Sequence, residues 1–102
     1  MSEVDVRDNP EKARYEIHVD GVFAGFTKYS LDDGLITFIH TKVFPEFEGK
    51  GLAGRLAASA LTAVRARSLA VFAECPYIRG YLRKHPEYVD LVPVGRRDEL
   101  GL

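Results

Sequence analysis

A glycine-rich turn at residues 48–55 (EGKGLAGR) runs directly into the longest helical pattern of the chain. Glycine lets the backbone curl close to a bulky anion. The first turn of the following helix directs its unpaired N–H groups, and the positive end of its dipole, to the same place. The turn therefore predicts a cradle for a ligand that carries phosphate.

Dinucleotide-binding folds are one class with such a turn. Gly49, Gly51 and Gly54 satisfy their G-x-G-x-x-G spacing, and Glu74 stands near the distance expected for an acid that binds ribose. In those folds the first glycine follows its strand almost at once, whereas residues 45–48 intervene here. A dinucleotide site is therefore the weaker interpretation of the turn.

Length and composition limit the architecture and the partners. A chain of 102 residues with 46% hydrophobic content predicts one compact domain, residues 1–102. The net charge of -1 gives no basic character that suggests nucleic acid, and no apolar run is long enough to cross a membrane. Residues 1–3 lack the start of a secretion signal, and the single cysteine fits a reducing compartment. We expect a cytoplasmic protein without nucleic-acid or membrane partners. The sequence does not predict its oligomeric state.

The first part of the chain predicts a meander of short strands. Residues 4–7 are a candidate first strand, and residues 13–19 alternate between apolar and polar side chains. Asp20-Gly21 is a hairpin signal. Residues 22–29 return as an apolar and aromatic strand in which Gly25 is a candidate bulge.

The second part predicts a crossover connection. After a reversal at residues 32–34, residues 35–43 are apolar at nearly every position, as in a central strand covered on both faces. Residues 52–67 carry an apolar helical stripe, and residues 69–73 form a short apolar run typical of a buried parallel strand.

The chain closes with a second helix at residues 77–84, an edge strand at residues 88–94 and a frayed end. The order is β-β-β-β-α-β-α-β, which is an α/β (α+β) class with a mixed sheet.

This order, together with the loop, resembles the GNAT-type N-acetyltransferases. Glu48-x-x-Gly51-x-Ala53 is similar to their Q/R-x-x-G-x-G/A loop, which binds the pyrophosphate of acyl-CoA. Residues 43–53 (VFPEFEGKGLA) and 75–88 (CPYIRGYLRKHPEY) look like those of a minimal single-domain subfamily about as long as this chain. The resemblance extends from about Tyr15 onward. It implies a mostly antiparallel sheet with a central βαβ crossover and a second short helix.

The resemblance also implies acetyl-CoA or CoA as cofactor and an amine as acceptor. Backbone N–H groups of the loop would hold the pyrophosphate, and pantetheine would lie along the end of the fourth strand. Arg83 and Lys84 are candidates for the adenosine 3′-phosphate, or else solvated helix surface. The implied cofactor contacts are Ile39, Thr41, Val43, Gly49, Lys50, Gly51, Leu52, Ala53, Gly54, Arg55, Arg83 and Lys84.

Two positions depart from the family pattern. Glu48 replaces the family's Gln or Arg, but this position contributes mainly backbone. Many relatives carry an aromatic-Tyr-x-Lys string whose tyrosine reprotonates the CoA thiolate. Aligning its lysine with Lys84 puts Leu82 at the tyrosine position, so the usual general acid is missing. Tyr81 can replace it if the helix is rotated relative to this alignment.

Cys75 is the first candidate catalytic residue, because it lies where the last buried strand meets the N-terminus of the second helix. A thiolate is stabilised at a helix N-terminus and can take up an acyl group or protonate the leaving sulfur. The alternative is a small buried hydrophobic residue.

His40 is the second candidate, placed by strand alternation on the face of Ile36 and Phe38. Imidazole can accept the proton of an amine. The alternative is a structural, half-buried histidine. His18 is predicted at the surface and His85 at a helix end, and three histidines without paired spacing predict no metal site.

Other polar and aromatic side chains have two interpretations each. Tyr77, Tyr81 and Tyr88 can line an acceptor cleft or pack in the core. Glu46 and Glu48 can attract a cationic amine or lie in a solvated loop.

The leading hypothesis is an acetyl-CoA-dependent N-acyltransferase that acts on a protein or a small amine. Transfer is either direct, with His40 as base, or through Cys75. The alternative from another class is a CoA-binding module with little or no turnover. A dinucleotide-binding fragment and an interaction domain without a ligand are weaker alternatives.

Overall fold

A computed structural model describes residues 3–102. Met1 and Ser2, on which the prediction about secretion partly depends, lie outside the described residues. One five-stranded sheet follows the order of the chain. Its strands are β1 (Val4–Asn9), β2 (Arg14–Val19), β3 (Val22–Asp32), β4 (Leu35–Val43) and β5 (Ala70–Ala73). The first four are antiparallel, and β5 is parallel to β4. The predicted mixed, mostly antiparallel sheet is confirmed.

Two α-helices complete the crossover architecture. Helix α1 (Leu52–Ala66) joins β4 to β5, and helix α2 (Pro76–Lys84) follows β5. Neither they nor any other helix in residues 3–102 is long and apolar enough to span a bilayer. Short 3-10 helices occupy Pro10–Lys12, Pro45–Phe47, Pro86–Leu91, Val94–Arg96 and Asp98–Leu100.

The hairpin turns lie where the Asp-Gly signals predicted them. Asp20 and Gly21 have φ of 50° and 82°, and Asp33 and Gly34 have φ of 48° and 76°. Left-handed conformations at both central residues match the right-handed twist of the flanking strands. These two turns fix the order of β2, β3 and β4.

The apolar stripe of α1 forms one side of the core, as predicted. Six residues of this helix are buried: Leu52, Leu56, Ala57, Ala60, Leu61 and Val64. They belong to the same core cluster as the inward residues Tyr15, Ile17, Ile36 and Phe38 of the sheet. Alanine at two of the buried helix positions lets the helix approach the sheet closely.

Within residues 3–102, the sheet has two bulges, one in each of the pairings that β3 makes with its neighbours. Ala24 is the extra residue in the pairing of β2 with β3, because Ile17 lies opposite Gly25 and His18 lies opposite Phe23. This bulge is adjacent to the predicted position at Gly25.

The second bulge, at Ile39 in β4, was not predicted. Tyr29 lies opposite Phe38 and Lys28 lies opposite His40, so Ile39 has no residue across from it. The alternation of β4 therefore inverts, and the side chains of His40 and Lys42 are exposed. The prediction that β4 is covered on both faces is wrong from Ile39 onward.

The C-terminal segment differs from the prediction of an edge strand at residues 88–94. It begins as a 3-10 helix, Pro86–Leu91, and does not pair with the sheet. Arg65 of α1 holds it, because its guanidinium donates to both carboxylate oxygens of Asp90, at 2.7 and 2.9 Å, and to the Glu87 carbonyl at 2.8 Å. The apolar residues that suggested a strand, Leu91 and Val92, are buried in the core instead.

The chain end is ordered by packing, so the prediction of a frayed end is also wrong. Leu100 is only 1% exposed. Arg97 donates through Nε to the Val92 carbonyl at 3.0 Å. A buried leucine in the last turn anchors a segment whose charged sequence indicated disorder.

We predict an alkaline-sensitive contribution from Tyr29. Its buried hydroxyl donates to Asp8 Oδ1 at 2.6 Å. Burial raises the pKa of Tyr29 well above its usual range, and the hydrogen bond to Asp8 adds to the shift. A tyrosine whose pKa is higher in the folded state stabilises the fold fully below its unfolded pKa of about 10, and this contribution is lost as the pH rises.

Tyr29→Phe should lower the free energy of unfolding at neutral pH by about 1–2 kcal/mol, through loss of that hydrogen bond. It should also make the decrease in the free energy of unfolding above about pH 10 less steep. Urea denaturation across this pH range measures both effects. Tyr88→Phe is the matched control, because its hydroxyl has no hydrogen bond within the described chain. An alkaline decline as steep in Tyr29→Phe as in the parent would contradict this role.

Candidate functional site

The glycine turn leaves the start of α1 open. Gly49 and Gly51 have φ of 80° and 72°, in the left-handed region that favours glycine. Gly51 is the N-cap of α1, and no side chain of residues 3–102 caps the first turn, which also lacks acidic residues. The N–H groups of this turn are therefore available to an anion.

A groove of about 150 Å³ lies beside this turn. Lys50 Nζ lies 5.8 Å from the centre of the Phe47 ring in the wall of the groove. Arg55, exposed in the first turn of α1, adds a second cation near the glycines. The groove is lined by Val43, Phe47, Glu48, Gly49, Gly51, Leu52 and Ala53. Glu46, the other predicted acid, is exposed in the preceding 3-10 turn.

A second groove of about 330 Å³ lies between the start of α1 and helix α2. The Tyr77 hydroxyl would be 3.7 Å from a Cβ added at Gly54, so the two helix starts are close together. Its lining residues are Gly54, Pro76, Tyr77, Gly80, Tyr81, Lys84 and His85. The first turn of α1 thus borders both grooves, through Gly54 on one side and Leu52 and Ala53 on the other.

The structure separates the two predicted basic residues of α2. Lys84 lines the second groove. Arg83 instead donates to the Leu100 carbonyl at 3.2 Å, on the side where the C-terminal segment packs. Its guanidinium has a structural partner, and we do not retain Arg83 as a cofactor contact.

Helix α2 presents aromatic side chains to the second groove. Tyr81 stacks on His85 with ring centres 4.0 Å apart, and Tyr77 and Tyr88 lie at 6.4 and 6.1 Å from Tyr81. Burial raises the pKa of both Tyr77 and Tyr81, which favours the neutral phenol as a hydrogen-bond donor. Leu82 is fully buried, so this helix turns Tyr81, and not position 82, towards the groove.

Strands β4 and β5 part beside these grooves. Their parallel pairing ends at Phe38 and Ala73. The N–H groups of Glu74 and Cys75 both donate to the Phe38 carbonyl, at 2.8 and 3.0 Å. Residues 39–43 continue past the end of β5, and no strand of residues 3–102 pairs with that edge. An extended ligand with amide groups can pair with such an edge.

Cys75 lies at the inner side of this gap. It is the N-cap of α2 and is only 2% exposed. Its thiol donates to Thr41 Oγ1 at 3.3 Å, and Thr41 Oγ1 lies 2.9 Å from Thr27 Oγ1. Thr27 is fully buried, so these two hydroxyl groups give the thiol a polar environment inside the core. Thr27 was missed in the sequence, because a threonine in a strand has no distinctive pattern.

His40 does not lie on the predicted face. The bulge at Ile39 turns it to the outer face, where its ring centre is 6.1 Å from that of Phe26. Thr41 takes the inward position beside Cys75. The two neighbours therefore line opposite sides of one gap, with the thiol inside and the imidazole outside.

The glycine turn does not lie in the βαβ unit that a dinucleotide-binding site requires. The turn Pro45–Phe47 separates β4 from the glycines, and β4 is antiparallel to β3 instead of part of an upstream βαβ unit. Glu74 is exposed at the end of β5. Within the described chain no cluster of His, Cys, Asp or Glu is suited to hold a metal.

Comparisons with known proteins agree with this geometry. The family model for the GCN5-related N-acetyltransferases matches residues 14–91. The NMR solution structure of a GCN5-like N-acetyltransferase candidate from Staphylococcus aureus superposes with a TM-score of 0.68 over 91% of each chain, at 22% sequence identity. A search of curated protein sequences finds no significant match. The family match covers most of the chain and both grooves, and the chain belongs to the GCN5-related N-acetyltransferase family.

Proposed function

We propose that this protein transfers an acetyl group from acetyl-CoA to an amine. The observation that carries the proposal is the uncapped start of α1, which borders two grooves beside the gap between β4 and β5. This set of groups suits a long anionic ligand. Acetyl-CoA would supply the thioester that is the acetyl donor.

The chain offers three kinds of contact to this cofactor. The N–H groups of residues 51–54, with Lys50 and Arg55 nearby, would hold the pyrophosphate. The free edge of Ile39, Thr41 and Val43 would pair with the pantetheine amides. Lys84, which lines the second groove, would meet the 3′-phosphate.

In direct transfer, the amine would reach the thioester from the outer side of the gap. His40 is exposed there and can accept the proton that the amine loses. Tyr77 and Tyr81 can donate a hydrogen bond or a proton to the leaving sulfur, because both line the second groove. The strand edge supplies N–H donors for the negative charge that develops on the carbonyl oxygen.

The covalent route uses Cys75. Its sulfur would form a bond to the acetyl carbon while the carbon–sulfur bond of the donor breaks, and the proton of Cys75 would end on the departing thiol. The amine would then attack the acetylated cysteine and restore the Cys75 thiol. Because Cys75 is only 2% exposed, this route requires the gap to open, and we favour direct transfer.

Thermal melting with CoA, acetyl-CoA, NAD and no ligand tests the cofactor. We expect CoA and acetyl-CoA to raise the melting temperature, since a ligand that binds only the folded state stabilises it, and we expect NAD to leave it unchanged. An absence of any shift with the CoA species would contradict the proposed site.

Cys75→Ala separates the two routes. We expect this variant to keep both the CoA-dependent shift and acetyl transfer to amines, because direct attack does not need the thiol. Intact mass after incubation with acetyl-CoA is the second readout. A thiol-labile acetyl adduct on the parent protein, together with loss of transfer in Cys75→Ala, would overturn the direct route.

A CoA-binding module with little turnover is the second candidate. It is favoured by the closed position of Cys75 and by Leu82, whose side chain is buried where the family tyrosine is expected. This candidate predicts the same melting shift but no amine-dependent release of CoA. A thiol assay for free CoA with a panel of amines distinguishes the two functions.

A further inference from the structure

The outer face of the sheet carries a cluster of half-buried aromatic side chains. Phe23 and Phe44 meet edge to face with ring centres 5.1 Å apart, and Phe26 lies 6.4 Å from each of them. Together with the charged residues that surround it, this surface is called the outer aromatic face. Its members are Arg14, Glu16, His18, Phe23, Phe26, Lys28, His40, Lys42 and Phe44.

The outer aromatic face has an excess of positive charge. Arg14 lies over the rings of Phe23 and Phe26, at 4.8 and 5.1 Å, and its Nε donates to Glu16 at 2.7 Å. This contact neutralises the acid nearest the aromatic rings.

Lys28 and Lys42 are exposed, and neither has a carboxylate partner within residues 3–102. The only side-chain hydrogen bond of Lys28 in this range is from its Nζ to the carbonyl of Lys12, at 3.4 Å. Two uncompensated lysines on one face of a protein with net charge -1 produce a local positive field.

This surface reaches the gap at which acyl transfer is proposed. His40 belongs to the outer aromatic face, and Lys28 lies opposite His40 across the β3–β4 pairing. Thr41, the next residue, points inward and bonds to Cys75. A partner bound on this face is thus adjacent to the outer opening of the gap.

We propose that the outer aromatic face binds the acceptor, and that the acceptor is a polypeptide segment whose amine is flanked by carboxylate and aromatic side chains. This inference rests on the proposed acyl transfer, which requires an amine at the gap. Carboxylates complement Lys28 and Lys42, and aromatic side chains complement the phenylalanines. An open sheet face accommodates an extended segment, whereas a free polyamine or a lysine-rich segment is repelled by the same lysines.

The test uses two short fluorescent peptides with one unblocked N-terminal amine. One is composed of glutamate and phenylalanine, and in the other arginine replaces every glutamate, so that neither peptide carries a side-chain amine. Fluorescence anisotropy with the full chain and CoA measures binding, and mass spectrometry with acetyl-CoA measures acetylation of the same peptides. We expect the acidic peptide to bind at least tenfold more tightly and to be acetylated at least tenfold faster.

Charge reversal at two positions provides the decisive variant. Lys28→Glu combined with Lys42→Glu should remove the preference for the acidic peptide and weaken its binding at least tenfold, while the CoA-dependent melting shift stays unchanged. Lys28→Arg combined with Lys42→Arg is the matched control, and it should behave as the parent protein.

Three outcomes would overturn the proposal. The first is equal binding of the acidic and basic peptides. The second is tighter binding of a single-stranded oligothymidylate, which would make the surface a nucleic-acid site. The third is a dimer in sedimentation that Lys28→Glu with Lys42→Glu dissociates, which would make it an interface between copies. Failure of the acyl-transfer proposal is distinguishable, because it would remove acetylation of both peptides, with or without the CoA shift, while anisotropy still reported tighter binding of the acidic peptide.

Discussion

Gly51→Glu should abolish CoA binding without unfolding the chain. The new carboxylate would stand at the N-cap of α1, accept hydrogen bonds from the first-turn N–H groups and repel phosphate. The left-handed φ of 72° adds a strain of about 1–2 kcal/mol for a residue with a Cβ, although among residues 3–102 no atom beyond the chain neighbours lies within 4 Å of that Cβ. We expect CoA affinity to fall by roughly 100-fold or more, from the loss of an anion site at a helix N-terminus.

Melting with and without CoA measures the loss of CoA binding, and far-UV circular dichroism shows separately whether the variant is folded. Gly51→Asn is the matched control, because asparagine tolerates the left-handed conformation and adds no charge. It should keep most of the CoA-dependent shift. A folded Gly51→Glu protein with unchanged CoA affinity would remove the pyrophosphate site from the glycine turn.

The second large effect is expected at Gly25. A Cβ at this position would lie 2.5 Å from the Lys42 carbonyl oxygen and 3.0 Å from Val43 Cα. Both atoms belong to the backbone of β4, so neither can rotate away. Gly25→Ala should therefore lower the free energy of unfolding by about 3 kcal/mol, the upper range for overpacking. This is a large part of the stability of a small domain.

Urea denaturation of Gly25→Ala measures this loss. Gly80→Ala is the control, since it makes the same chemical change within α2, where the added Cβ would have no atom of residues 3–102 within 4 Å beyond its chain neighbours and its own helix backbone. It should raise the free energy of unfolding by about 0.5–1 kcal/mol, because alanine loses less backbone entropy in a helix. A Gly25→Ala protein as stable as the parent would show that β3 and β4 can separate locally.

The elements that local sequence determines were predictable. Two Asp-Gly pairs fixed the hairpins, and the apolar stripe of α1 with the glycines before it fixed the crossover. Resemblance to the acetyltransferases in residues 43–53 added the family, which the match over residues 14–91 confirms. All of these signals lie within a few neighbouring residues.

The errors arose where distant residues decide the structure. The bulge at Ile39 is a property of the pairing between β3 and β4, and nothing in the apolar run of β4 marks it. Arg65 holds the C-terminal segment from α1, and Arg83 is bound by the Leu100 carbonyl. A sequence pattern contains no information on such partners, so the edge strand was mispredicted and the contact of Arg83 with the C-terminal segment was not foreseen.

The bulge at Ile39 divides β4 into two halves in which opposite members of the alternation, even-numbered and odd-numbered residues, face the core. Before it, the even-numbered residues Ile36 and Phe38 are in the core, and after it the odd-numbered residues Thr41 and Val43 point inward. If Ile39 instead paired in regular register, the even-numbered phase would continue, bringing His40 into the core and turning Thr41 away from Cys75, whereas deleting Ile39 would keep both on their present sides. The side chains on the two sides of the gap thus depend on the pairing register at Ile39 more than on their own identities.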